Sequence, residues 1–140
     1  MSILAGFACT LYRDLFLDFV NDIDVPVLLT WRAMDLLDAD DPLYIGRPGM
    51  IGQPKAHRYL QAADRVLILG ARLDKETVAY NYANFAPLAE KTVVDIDAAE
   101  LAKLPDDWHK VNMDVGVFMR GVLDGRIPLC GAAEQIQPRG

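Results

Sequence analysis

Apolar positions change period several times along the chain, and each change marks a predicted element. Leu15, Phe16, Phe19 and Val20 recur at three- and four-residue intervals with Arg13, Asp14 and Asp18 between them, which predicts a helix over Tyr12 to Asn21 with one buried face. Asn21, Asp22 and Asp24 end it. Val25 to Thr30 follows as a nearly continuous apolar run, with Pro26 tolerable only at its first position. Such a run lacks two-residue alternation because helices cover both faces of a buried parallel strand. Arg65 to Leu69 gives the strongest central-strand signal and stops at Gly70; Thr92 to Ile96 repeats it, and Ile3 to Ala5 and Val111 to Met113 predict shorter strands. Between them, Trp31 to Leu37 reads as a short helix, Lys55 to Ala63 as a helix entered through Pro54, and Val115 to Leu123 as a last one. Asp97-Ala98-Ala99-Glu100 fits a capping box, Asp97 taking free amides of a helix start and Glu100 reaching back.

Strand and helix periods thus alternate, with connections long enough for crossovers. The fold class is α/β: a three-layer, Rossmann-like domain with a mostly parallel sheet of about five to six strands and helices on both faces. Sheets of this kind place their crevice beyond the carboxyl ends of the strands, which directs attention to Gly6, Thr30, Gly70 to Asp74 and Asp95 to Asp97. One compact domain over residues 1–125 is predicted from 140 residues, and 126–140, rich in Gly, Pro and polar residues, reads as a linker or tail.

Composition narrows the partners. With 52% hydrophobic and 24% charged residues the chain is neither disordered nor fibrous. Fourteen basic against twenty acidic residues leave a net charge of -6 with no basic stripe, so nucleic acid is a poor partner. No apolar stretch approaches the ~20 residues that span a bilayer, and the start lacks the basic region of a signal peptide, so no membrane and a cytoplasmic location are expected. Cys9 and Cys130 form no CxxC pair, which disfavours a disulfide framework or thiolate zinc site.

Candidate chemistry falls on three turns. Gly46-Arg47-Pro48-Gly49-Met50-Ile51-Gly52 is a shaped loop whose amides could approach a ligand, though glycine and proline punctuate ordinary loops as well. After the strand ending at Leu69, Gly70 removes a blocking side chain, Arg72 could pair with a pyrophosphate, and Asp74 could orient Arg72 or accept a hydroxyl; a structural Arg72–Asp74 pair explains the same residues. Asp95 closes the next strand, where a carboxylate can accept ribose hydroxyls, while Asp97 reads as the helix cap. His57 lies in a predicted helix and His109 in a turn, neither in a ligand pattern. HExxH, GxSxG and the dinucleotide and P-loop glycine motifs are missing, so no catalytic centre is predicted within the chain.

Four runs in order resemble the central domain of thiamine-diphosphate-dependent enzymes of the acetolactate synthase type: Val25 to Trp31, Pro42 to Gly52, Ala63 to Asp74 and Val94 to Lys103. The resemblance implies flanking pyrimidine- and pyrophosphate-binding domains that hold thiamine diphosphate and magnesium. It implies a parent enzyme that decarboxylates a 2-oxo acid such as pyruvate and passes the fragment to an acceptor. It also implies FAD, or an adenine nucleotide such as ADP, along the carboxyl edge of the sheet. Gly49, Met50, Ile51 and Gly52 match the loop beside the flavin ribityl chain, with Ile51 where a histidine is common. Gly70, Arg72 and Asp74 match the pyrophosphate segment, Asp95, Ile96 and Asp97 the adenosine end, and Thr30 a residue before the isoalloxazine loop. Gly6 begins the turn after the first strand, where relatives usually carry a longer glycine-rich turn; here Phe7 follows, which would crowd amides meant for a phosphate. The resemblance thus implies an isolated central domain that is not catalytic alone. A free-standing nucleotide-binding module and a structural spacer that self-associates are the alternatives.

Overall fold

The computed structural model describes residues 1–46, 54–72 and 85–128. Gly49, Met50, Ile51, Gly52 and Asp74 lie outside the described residues, as do Cys130 and the tail beyond 128. Six strands form one sheet: β1 (Ser2–Ala5), β2 (Val27–Leu29), β3 (Tyr44–Gly46), β4 (Arg65–Leu69), β5 (Glu90–Asp95) and β6 (His109–Asn112). Their order is β3-β2-β1-β4-β5-β6, and every neighbouring pair is parallel. Strand order reverses between β1 and β4, so the topological switch point lies there.

Alternate residues of each strand feed two cores, which makes the domain three-layered. Ile3, Val27, Leu29, Leu67, Leu69 and Val94 face one core with Phe16, Phe19 and Val20 of α1 (Arg13–Ile23) and Phe118 and Met119 of α4 (Val115–Leu123). Leu4, Leu28, Val66, Ile68 and Val93 face the other with Ala56 and Leu60 of α2 (Pro54–Ala62) and Leu101 of α3 (Ala98–Ala102). Each fully buried Leu, Ile, Val or Phe contributes roughly 1.5–3 kcal/mol of transfer free energy, so the predicted period assigns these helices to the sheet by burial more than by propensity. Phe19 and Phe118 meet edge to face at 6.5 Å, joining α1 to α4.

Several boundaries differ from the sequence reading. β3 falls where Leu43, Tyr44 and Ile45 read as the entry to a loop: three residues beside a glycine are too few for a period, and the strand exists because β2 offers it a partner. α1 begins at Arg13 behind a six-residue 3-10 helix, Phe7–Tyr12, and runs to Ile23, where Asp24 in the left-handed region (φ 58°) closes it. Trp31 to Leu37 forms only a 3-10 turn at Trp31–Ala33. His109 starts β6 rather than lying in a turn, and Ile96 lies just past the end of β5. At the far end, Ile127 packs back against Gly121 of α4.

Candidate functional site at the carboxyl rim of the sheet

Because all strands run the same way, their carboxyl ends share one rim, and backbone hydrogen bonds stitch it together. The N–H of Thr30 donates to Ala5 O (3.0 Å), Gly6 to Leu69 O (2.9 Å), Gly70 to Val94 O (2.9 Å) and Met113 to Asp95 O (3.0 Å). Thr30, Gly6, Gly70 and Asp95, far apart in sequence, therefore form one row.

At the switch point the turn after β1 lies directly on the turn after β4. A Cβ on Gly6 would sit 2.3 Å from Ala71 Cα and 2.6 Å from Gly70 O, so only glycine allows this approach. Gly70 has φ +57°, and a Cβ there would sit 2.4 Å from Ala8 Cβ. The Ala8 N–H donates to Gly70 O (3.3 Å), the Cys9 N–H to Gly6 O (3.0 Å), and the Cys9 thiol to Leu69 O (3.5 Å). Burial pushes that thiol up to about 12, the Gly6 hydrogen bond opposing, so Cys9 is an inert packing residue. The 3-10 helix over six residues rises about 12 Å, carrying the start of α1 that far along the chain from Gly6. Tyr12, at its end, donates its hydroxyl to Asp114 Oδ2 (2.8 Å), and Asp114 Oδ1 accepts from the amides of Gly116 (2.8 Å) and Val117 (3.2 Å). Nothing in the local sequence signals this bond across 102 positions.

On the β5 side five charged residues meet. Asp97 caps α3 as read from the sequence, Oδ1 accepting from the Ala99 N–H at 2.9 Å. The second half of the capping box is different: the Asp97 N–H donates to Asp95 Oδ1 (2.8 Å), while Glu100 pairs with Lys103 (2.9 Å) and Arg72 (3.8 Å). Arg72 also approaches Asp97 at 3.9 Å, so its acidic neighbours among the described residues lie on and before α3. Burial raises the Asp95 carboxyl above the usual range; the Asp97 amide opposes this, Glu100 and Asp97 add to it, and Arg72 opposes it. A shallow cleft of about 10 Å³ opens between Ala71, Val93, Asp95, Glu100, Leu101 and Leu104, far below the ~300–1,000 Å³ of small-molecule sites. Beside it, Ile96 is 68% exposed.

The family described as thiamine pyrophosphate enzyme, central domain, matches residues 2–122. The chain belongs to this family. It is similar to the acetolactate synthase isozyme 1 large subunit of Escherichia coli (strain K12), 36% identical over 122 residues, which are 87% of this chain and 20% of that protein. It is likewise similar to the acetolactate synthase large subunit of Lactococcus lactis subsp. lactis (strain IL1403), 37% identical over 91 residues, 65% of this chain and 16% of that protein. Acetolactate synthase 1, chloroplastic, of Zea mays is 31% identical over 117 residues, 84% of this chain and 18% of its own length. The chain thus spans about a fifth or less of the relatives it matches.

Among the described residues no three His, Cys, Asp or Glu side chains are grouped to hold a metal ion. A pyrophosphate needs open amides after β1, and those of Gly6, Ala8 and Cys9 are bonded to carbonyls of the chain itself. No helix of the described residues is long and apolar enough to cross a membrane.

Proposed function

We propose that this chain serves as the central domain of an acetolactate-synthase-like, thiamine-diphosphate-dependent enzyme and is not catalytic by itself. The parent would decarboxylate a 2-oxo acid such as pyruvate and join the fragment to an acceptor in the cytoplasm. Thiamine diphosphate and magnesium would be held by the pyrimidine- and pyrophosphate-binding domains that flank this one. The observation carrying this reading is the match of residues 2–122 to the central domain alone. The domain's own work is to hold those neighbours at a fixed spacing and to contribute to oligomer contacts.

The parallel platform with a core on each face supports a rigid spacer. Exposed apolar side chains support contact with neighbours: Phe7, Leu11, Met34, Ile96 and Val117 in segments after the strands' carboxyl ends, with Tyr59 on α2 and Leu88 just before β5. Pure chain incubated with pyruvate, thiamine diphosphate and magnesium is expected to release no carbon dioxide. Turnover dependent on the cofactor would overturn the reading.

A further inference from the structure

We infer that the dinucleotide crevice of this domain is permanently filled by its own backbone, the turn after β1 seated on the turn after β4, so that the chain takes neither FAD nor ADP at its switch point. In a doubly wound sheet the crevice lies where strand order reverses, here between β1 and β4, and a phosphate is received by open amides at the start of the following helix. Three observations close that position. Gly6 and Gly70 approach each other so nearly that a Cβ on Gly6 would lie 2.6 Å from the Gly70 carbonyl oxygen. The Ala8 amide, two residues into the turn, donates to that same oxygen at 3.3 Å, and Cys9 closes a 3-10 turn onto Gly6 at 3.0 Å.

The third observation concerns charge. A 3-10 helix occupies the position of the helix start, and α1 begins only at Arg13, so the positive end of its dipole is carried away from the crevice. Arg72, within the pyrophosphate segment, lies 3.9 Å from Asp97 and 3.8 Å from Glu100, so a phosphate would compete with two carboxylates already there. The domain is then a spacer whose switch point locks β1 to β4.

The test needs no catalytic activity. The full chain is titrated with FAD, read by quenching of flavin fluorescence, and with ADP, read by thermal shift, each to millimolar concentration. A ligand at about 100 times its Kd would stabilise the fold by ~2.7 kcal/mol, a shift of several degrees. No saturable quenching and no shift are expected; either one overturns the inference. Amide hydrogen exchange supplies a measurement free of ligand: Ala8 and Cys9 are expected to exchange at least 100-fold more slowly than free peptide, and exchange at the free rate overturns it. Phe7→Gly opens space at the turn but leaves the Ala8 bond in place, so it is expected to gain no FAD binding. A gain would show that Phe7, and not the seated backbone, is the barrier. The inference builds on the proposed role only loosely: FAD binding would leave the central-domain reading standing, and carbon dioxide release would leave the closed crevice standing.

Discussion

Replacing Gly70 by alanine tests the seating of the two turns directly, because a second glycine supplies the control. Gly70 and Gly125 both occupy the left-handed region, with φ of +57° and +78°. At Gly125 a Cβ meets nothing within 4 Å, whereas at Gly70 it would lie 2.4 Å from Ala8 Cβ and 3.2 Å from Val115 Cγ1. Both substitutions incur the left-handed penalty of about 1–2 kcal/mol, offset by roughly 0.4–1 kcal/mol from a stiffer unfolded chain. Only Gly70→Ala adds the overpacking cost of about 1–3 kcal/mol, since the nearest atom, Ala8 Cβ, is fixed to the backbone and cannot swing aside. The expected gap between the variants is therefore ~1–3 kcal/mol, or roughly 3–15 °C in Tm for a chain of this size. Urea unfolding followed by circular dichroism, with the denaturant slope unchanged, measures it. Equal losses for the two variants would refute the apposition of Ala8 and Gly70.

Two other substitutions probe the rim. Asp95 has a raised carboxyl, so between the ordinary carboxylate range and its raised value the folded chain binds more protons than the unfolded one, and stability falls as pH rises. Asp95→Asn keeps an oxygen for the Asp97 amide without the buried charge; its advantage over the parent should grow with rising pH and level off toward neutrality, and a pH-independent difference would refute the assignment. Asp114→Ala removes both the α4 cap and the acceptor of Tyr12, with an expected loss of about 1–3 kcal/mol. The hydrogen bond to Asp114 raises the Tyr12 hydroxyl, so the variant's phenol should ionise at lower pH in an ultraviolet titration.

How far the sequence reaches can be judged residue by residue. Arg65 to Leu69 was bounded as a strand at both ends, because a polar start and a terminal glycine are local signals. Asp97 was legible as a cap for the same reason, its partner Ala99 being two residues away. Glu100 departs from the capping-box pattern: its carboxylate turns to Arg72 and Lys103, and the Asp97 amide finds Asp95 instead. β3 was missed because its cause is a neighbouring strand rather than its own composition.

Local periodicity and capping chemistry by themselves determined the alternation of helix and strand, the parallel sheet with two covered faces, and the row of residues at its carboxyl end. Those properties depend on groups within a turn or two of one another. Tertiary structure alone decided what that row is free to do: whether the Ala8 amide faces a ligand or Gly70, 62 positions away, and whether Arg72 lies open or beside α3. Free energy at those points is set by atoms brought together from distant segments, and no spacing in the chain records which of two satisfied arrangements packs better.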